Sequence, residues 1–134
     1  MRVALDTNVL VSAFTTRGIC ADVLTVVLTE HQLVLGETIL TELRRVLVKK
    51  MKMPVDVAEE ADALLRRESV IVSTASPVEW DVRDPDDAQV LGEVIEALAD
   101  VLVTGDRDLT ELSGPTPVEI LTPRGFWEKI HTRS

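Results

Sequence analysis

The chain has 134 residues, 46% of them hydrophobic, with a formal net charge of −9 and an isoelectric point near 4.6. This length and apolar content suffice for one domain with its own core, and we expect a single domain over residues 1–134. The negative charge argues against nonspecific nucleic-acid binding through a basic surface. It does not exclude a nuclease, because metal-binding carboxylates add to the negative sum while a bound cation supplies positive charge beside the phosphate.

Membrane and secretory segments are not evident. No run approaches the roughly 20 consecutive apolar residues that a membrane span needs, and Met1-Arg2 leads straight into a strand pattern rather than a signal peptide. We therefore expect a cytoplasmic protein with no membrane association. Cys20 is the single cysteine, which excludes an internal disulfide and a cysteine-based metal cluster.

Apolar spacing in the first half predicts strands that alternate with helices. The expected elements are a strand at Arg2–Asp6, helices at Asn8–Phe14 and Ala21–Glu30, a strand at Gln32–Gly36, a helix from Thr38 to the basic residues before Pro54, a helix at Val55–Arg67 and a strand at Val70–Val72.

The second half opens with a turn-rich stretch, Ser73–Pro85. Asp84-Pro85-Asp86-Asp87 has the order of a helix start, with an Asp cap and Pro at the first helical position. The expected elements are a helix from there to about Ala99, a strand within 100–106, a short turn or helix through Leu112, a break at Gly114-Pro115, a strand at Val118–Leu121 and a closing segment at Arg124–Ile130. This alternation predicts an α/β fold with a mostly parallel sheet.

Four acids stand where apolar segments pass into polar chain: Asp6, Glu42, Asp87 and Asp106. Ligands of open parallel sheets bind beyond the carboxyl ends of the strands, where Asp6 and Asp106 are expected. Asp87 would enter from the first turn of a helix, and Glu42 from the edge of a helical apolar stripe. Carboxylates brought together repel each other unless a cation joins them, so a divalent metal site is the natural resolution.

Each acid also has an ordinary structural explanation. Asp6, Asp84, Asp86 and Asp87 can act as helix caps or first-turn residues, Asp106 and Asp108 as turn formers, and Glu42 as a surface residue. A basic run, Arg44, Arg45, Lys49, Lys50 and Lys52, is either a solvated helix face or a phosphate contact. No Ser-His-Asp or Cys-His constellation is evident, and we expect His31 and His131 to be structural or solvated.

The order of the acidic motifs resembles that of the PIN-domain family, and more closely the VapC-like toxin components of bacterial and archaeal toxin–antitoxin pairs. The matching segments are V-A-L-D-T-N-V (3–9), L-T-E-L around Glu42, D-P-D-D-A-Q-V-L (84–91) and V-T-G-D-R-D-L (103–109). The resemblance implies a three-layer α/β/α sandwich that cleaves single-stranded RNA with a metal ion, a cognate antitoxin as partner, and a homodimer.

By this resemblance the family's four catalytic acids fall on Asp6, Glu42, Asp87 and Asp106, with Asp6, Asp87 and Asp106 as metal ligands. Asn8 and Thr104 match supporting polar positions. Asp86 is an alternative for the third acid, and Asp108 could share the role of the fourth. Hard oxygen ligands suit Mg²⁺ or Mn²⁺.

Two other functions stay open on the sequence alone. A haloacid-dehalogenase-like phosphatase also places Asp after its first strand, but it would need a second Asp where Asn8 stands. A noncatalytic PIN-like interaction module is compatible with the acidic surface, although the intact acids disfavour it. A dinucleotide-binding protein is disfavoured because no G-x-G-x-x-G follows a strand.

Overall fold

The computed structural model describes residues 1–73, 84–112 and 116–132, and a parallel sheet forms the centre of this part of the chain. Its five strands are β1 (Arg2–Leu5), β2 (Gln32–Gly36), β3 (Ser69–Val72), β4 (Val101–Val103) and β5 (Glu119–Leu121). They lie in the order β3-β2-β1-β4-β5, and every neighbouring pair is parallel. The predicted α/β class with a mostly parallel sheet is confirmed.

Seven helices surround this sheet within the same residues. They are α1 (Thr7–Thr15), α2 (Ile19–Glu30), α3 (Glu37–Lys49), α4 (Val55–Glu68), α5 (Pro85–Glu96), α6 (Arg107–Thr110) and α7 (Pro123–His131). Successive residues of β1, β2 and β4 are buried. Because alternate strand residues point to opposite faces, helices must cover both faces of the sheet. The expected three-layer α/β/α sandwich is thus confirmed.

The first two helices both bury apolar residues. Among the described residues no single helix is long and apolar enough to cross a membrane. Only α1 and α2 taken together have the length and composition of a membrane-spanning segment, and they are bent by 103° relative to each other. Leu10 in α1 and Val23 and Val27 in α2 are fully buried in the protein core.

Most element bounds agree with the predictions to within one or two residues, and the largest difference is at the end of α5. The sequence predicts a helix to about Ala99, but α5 ends at Glu96. Leu98 adopts a left-handed backbone with φ of 60°, which ends the helix as such residues commonly do. Most of the predicted turn-rich stretch and the Gly114-Pro115 break lie outside the described residues.

The strand order places β1 at a topological switch point. From β1 the chain proceeds outward to β2 and β3 on one side, and later returns to add β4 and β5 on the other. The loops that follow β1 and β4 therefore leave neighbouring strands in opposite directions and open a crevice at the carboxyl edge of the sheet. Asp6 and Asp106 follow the ends of β1 and β4, so both lie at this crevice.

Candidate active site

The pairing of β1 with β4 positions the first and fourth predicted acids. Leu5 is in register with Val103, and the backbone N–H of Asp6 donates to the carbonyl of Val103 at 2.9 Å. Asp6 then caps α1, accepting the Thr7 N–H at 2.9 Å. Asp106, three residues beyond β4, caps α6 in the same way. Two helices thus begin from neighbouring strand ends, each with an aspartate at its start.

Thr104 connects these two aspartates. Its hydroxyl donates to Oδ2 of Asp6 at 2.7 Å and accepts the backbone N–H of Asp106 at 3.0 Å. Thr104 is fully buried and Asp6 is 8% exposed, so neither side chain is free to turn into solvent. Both carboxylate oxygens of Asp6 therefore have fixed hydrogen-bond donors, which sets the orientation of the carboxylate plane.

Asp87 joins this group from the first turn of α5. Asp84 caps that helix by accepting the Asp86 N–H at 2.9 Å, and Asp87 lies half-buried one residue further on. Burial, followed by the negative charges of Asp106, Asp84, Asp6 and Asp108, raises the pKa of Asp87 to about 7. The side chain is therefore close enough to both Asp6 and Asp106 for their charges to act on it.

Asp6 is coupled to the remaining acid, Glu42. Burial is the largest cause that raises the pKa of Asp6, the hydrogen bonds from Thr104 and Thr7 oppose it, and the charges of Glu42 and Asp106 add to it. The structure thus brings all four predicted acids into one electrostatically coupled group, which we call the acid site: Asp6, Glu42, Asp87 and Asp106.

An open groove of about 360 Å³ adjoins the acid site between α3 and the start of α5. Its lining consists of Glu37, Thr38, Thr41, Glu42, Arg45 and Asp86. Asp86 thus faces this groove, whereas Asp87 is the acid on which Asp6 and Asp106 act. Two larger concavities, of about 380 and 490 Å³, lie around Met1, at the opposite ends of the strands from the acids.

The other predicted supporting residues differ in placement. Asp108 is exposed, and its backbone N–H donates to Oδ1 of Asp106 at 2.9 Å. Asn8 is exposed in α1, and no hydrogen bond within the described residues joins its amide to an acid. Of the two polar positions expected to support the acids, the structure places only Thr104 in contact with one.

One acid beside this region was missed by the sequence analysis. Glu93 of α5 is 3% exposed and accepts hydrogen bonds from Thr38 at the start of α3. A sequence signal exists, since Glu93 stands between Leu91 and Val94 on the buried part of α5. An acid in an apolar stripe is a candidate for a buried, hydrogen-bonded role.

The donor chemistry of the acid site suits Mg²⁺ or Mn²⁺, because every side chain in it offers hard oxygen ligands. After burial, the negative charges of neighbouring acids raise the pKa of Asp87, so a bound cation would relieve this repulsion. Within the described residues, however, no three His, Cys, Asp or Glu side chains are grouped closely enough to form a ready-made cation cage. The residues of the acid site thus fit a divalent ion in charge and donor chemistry, but they do not form a preformed cage for it.

Comparison with known proteins identifies the family. The family model of the PIN domain matches residues 2–108, so this chain belongs to the PIN-domain family. No curated protein sequence gives a significant match. Among solved structures, the fold is similar to the crystal structure of VapBC2 from Rickettsia felis bound to a DNA fragment from their promoter. That match has a TM-score of 0.62 and 14% identity, and it covers 90% of this chain and 97% of that chain.

The raised pKa of Asp87 predicts a pH-dependent effect of the Asp87→Asn substitution on stability. Between the ordinary pKa of 3.8 and the folded-state value of about 7, the folded protein holds a proton that the unfolded chain has released. The free energy of unfolding contributed by this group therefore falls as pH rises through that window. Since Asn does not ionise, the stability of Asp87→Asn relative to the parent protein should increase from pH 4 to pH 8.

Urea unfolding at pH 4, 6 and 8 measures this difference. Asp86→Asn is the matched control, because it removes an adjacent charge that is exposed and faces the groove. A constant stability difference between Asp87→Asn and the parent protein over this range would contradict the raised pKa of Asp87.

Proposed function

We propose that this chain is a metal-dependent ribonuclease that hydrolyses phosphodiester bonds of single-stranded RNA. The observation that carries the proposal is the coupling of four acids from different elements at the carboxyl edge of the sheet. Helix capping explains the presence of Asp6 and of Asp106 when each is considered separately. It does not account for the burial of Asp6 or for the gathering of Asp87 and Glu42 around it.

In this proposal Asp6, Asp87 and Asp106 hold the ion, and Glu42 lies beside them on the groove side. A bound Mg²⁺ or Mn²⁺ would lower the pKa of a water molecule and shield charge on the phosphate. The protein's own contribution is orientation. Thr104 and the Thr7 N–H fix both oxygens of Asp6, and the Asp108 N–H fixes one oxygen of Asp106.

Membership of the PIN-domain family leaves the phosphatase alternative without support. A noncatalytic PIN-like module is the remaining competitor, and it requires no function of the coupled acids. The gathering of acids around the buried Asp6 speaks against it, because neighbouring carboxylates repel one another and helix capping does not require them to lie together.

We further propose that the protein is the toxin of a toxin–antitoxin pair, inhibited by a cognate antitoxin. The likeness of its motifs to VapC-like toxins supports this, as does its fold similarity to the VapBC2 structure. The resemblance also leads us to propose a homodimer and a cytoplasmic location.

Removal of one ligand charge tests the enzymatic proposal. The Asp6→Asn substitution keeps the shape of the side chain and an oxygen that can still cap α1. We expect RNA cleavage in Mg²⁺ or Mn²⁺ to fall by at least about 10²-fold, because the metal no longer has its buried ligand charge. Excess chelator should abolish cleavage by the parent protein. Initial rates on a single-stranded RNA measure both effects.

Asp22→Asn, an exposed acid in the first turn of α2, is the control and should cleave at the parent rate. Folding of both variants is checked by circular dichroism. Full activity in a folded Asp6→Asn protein would sink the metal-site proposal, and absence of any cleavage by the parent protein would favour the noncatalytic module.

The basic run supplies a second test, because two adjacent arginines have different surroundings. Arg44 forms an ion pair with Glu59 of α4 at 2.9 Å, whereas Arg45 lines the groove beside Glu42. If RNA follows the groove, Arg45→Gln should weaken its binding and reduce the slope of log affinity against log salt by about 0.7, the value for one phosphate of a single strand.

Fluorescence anisotropy at several salt concentrations measures this slope. Arg44→Gln removes the same charge one position away and should leave the slope unchanged. Equal effects of the two substitutions would mean that RNA responds only to the summed positive charge of α3 and that Arg45 makes no specific phosphate contact in the groove.

The partner proposal is tested by co-expression with the protein encoded by a neighbouring small reading frame. We expect the two proteins to co-purify, and the complex to lose ribonuclease activity that returns when the partner is removed. Sedimentation velocity of the isolated chain should show a dimer. A monomer at micromolar concentration, with no co-purifying neighbour, would count against both the antitoxin and the homodimer.

A further inference from the structure

Glu93 is a buried acid outside the acid site. It lies six residues after Asp87 on α5, is 3% exposed, and has the buried residues Leu91 and Val94 close by on the same helix. Because an isolated carboxylate is unfavourable in such surroundings, its retention depends on specific hydrogen bonds.

Those hydrogen bonds come mainly from the start of α3. Oε1 of Glu93 accepts the backbone N–H of Thr38 at 3.1 Å, and Oε2 accepts the Thr38 hydroxyl. Gln89, one turn earlier on α5, donates to Oε2 at 3.1 Å. The N-cap residue of α3 is Gly36, which offers no side-chain cap. Glu93 therefore caps α3 from a different helix, where the helix dipole also favours a negative charge.

Gly36 makes room for this contact. A Cβ atom built on Gly36 would lie 1.7 Å from Oε1 and 2.6 Å from Cβ of Glu93. The φ of Gly36 is −104°, a value that any residue adopts, so glycine is required here for space rather than for conformation. The end of β2 and the middle of α5 can approach this closely only with no side chain at position 36.

We propose that Glu93 is a positioning residue that ties the helix carrying Glu42 to the helix carrying Asp87. Thr38 lies one helical turn before Glu42, and both residues line the groove together with Asp86. The contact among Glu93, Thr38 and Gly36, which we call the Glu93 latch, therefore sets how α3 and α5 face each other across the groove. Its catalytic consequence rests on the proposed ribonuclease function, whereas its structural part does not.

The Glu93→Gln substitution tests the latch, because it retains size but removes the charge that caps α3. We expect amide hydrogen exchange at Thr38 to accelerate about 10-fold or more, since hydrogen bonds to charged groups are the stronger ones. We also expect kcat for RNA cleavage to fall about 10- to 100-fold with KM changed by less than about threefold, because misplaced groups slow the chemical step more than they weaken binding.

Glu96→Gln is the matched control, an exposed glutamate one turn further along α5, and should alter neither quantity. Thr38→Val removes only the hydroxyl donor and should give a smaller loss of kcat. If Glu93→Gln does not fold, Thr38→Val carries the test by the same two measurements.

Three results would overturn the inference. They are unchanged exchange at Thr38 in folded Glu93→Gln, accelerated exchange with unchanged kcat, and a fall in kcat without accelerated exchange. If the parent protein cleaves no RNA, the ribonuclease proposal and the catalytic role of Glu93 fail together, and hydrogen exchange at Thr38 alone then decides whether Glu93 secures α3.

Discussion

The parallel pairing of β1 with β4 is the constraint on which the rest of the site depends. This register places Asp6 and Thr104 at adjacent strand ends, where the backbone and side-chain hydrogen bonds between them can form together. A shift of one residue would turn Thr104 to the opposite face of the sheet and separate it from Asp6. Because β1 is also the switch point of the topology, the loops after these strands diverge and open a crevice beside the acids.

The carboxylates of the acid site repel one another, and the fold holds them together despite this repulsion. Burial and mutual repulsion raise the pKa values of both Asp6 and Asp87, so the group is unfavourable as long as protein charges alone surround it. Elsewhere on the same face the structure neutralises acids directly. Glu37, which lines the groove, is paired with Arg66 at 2.7 Å. Within residues 1–73, 84–112 and 116–132, no arginine or lysine forms an ion pair with Asp6, Glu42, Asp87 or Asp106, which fits their proposed role around an external cation.

The sequence revealed the architecture because its signals are local. Apolar runs followed by caps or breaks identified nearly every strand and helix within the described residues, and Asp84-Pro85 marked the start of α5 directly. The sequence does not locate the end of α5, because Leu98 adopts a left-handed conformation that a leucine side chain does not favour. The resemblance assigns the third acid to Asp87, and Asp86 stays an alternative for a related reason. Both lie in one helical turn, and only tertiary packing directs Asp87 toward Asp6 and Asp106.

The place of Glu93 between apolar residues of α5 indicates burial, but the sequence does not reveal its contacts with Gly36 and Thr38, which lie more than 50 residues away in the chain. Conversely, the capping role of Asp6 and Asp106 is compatible with their proposed role as metal ligands. Each carboxylate accepts an N–H at the start of a helix, and such helix starts carry partial positive charge. Together with α5, which begins beside Asp87, three helix N-termini therefore offset part of the repulsion. Helix capping thus makes it less unfavourable for these acids to lie close together, and it also fixes the orientation of their oxygens.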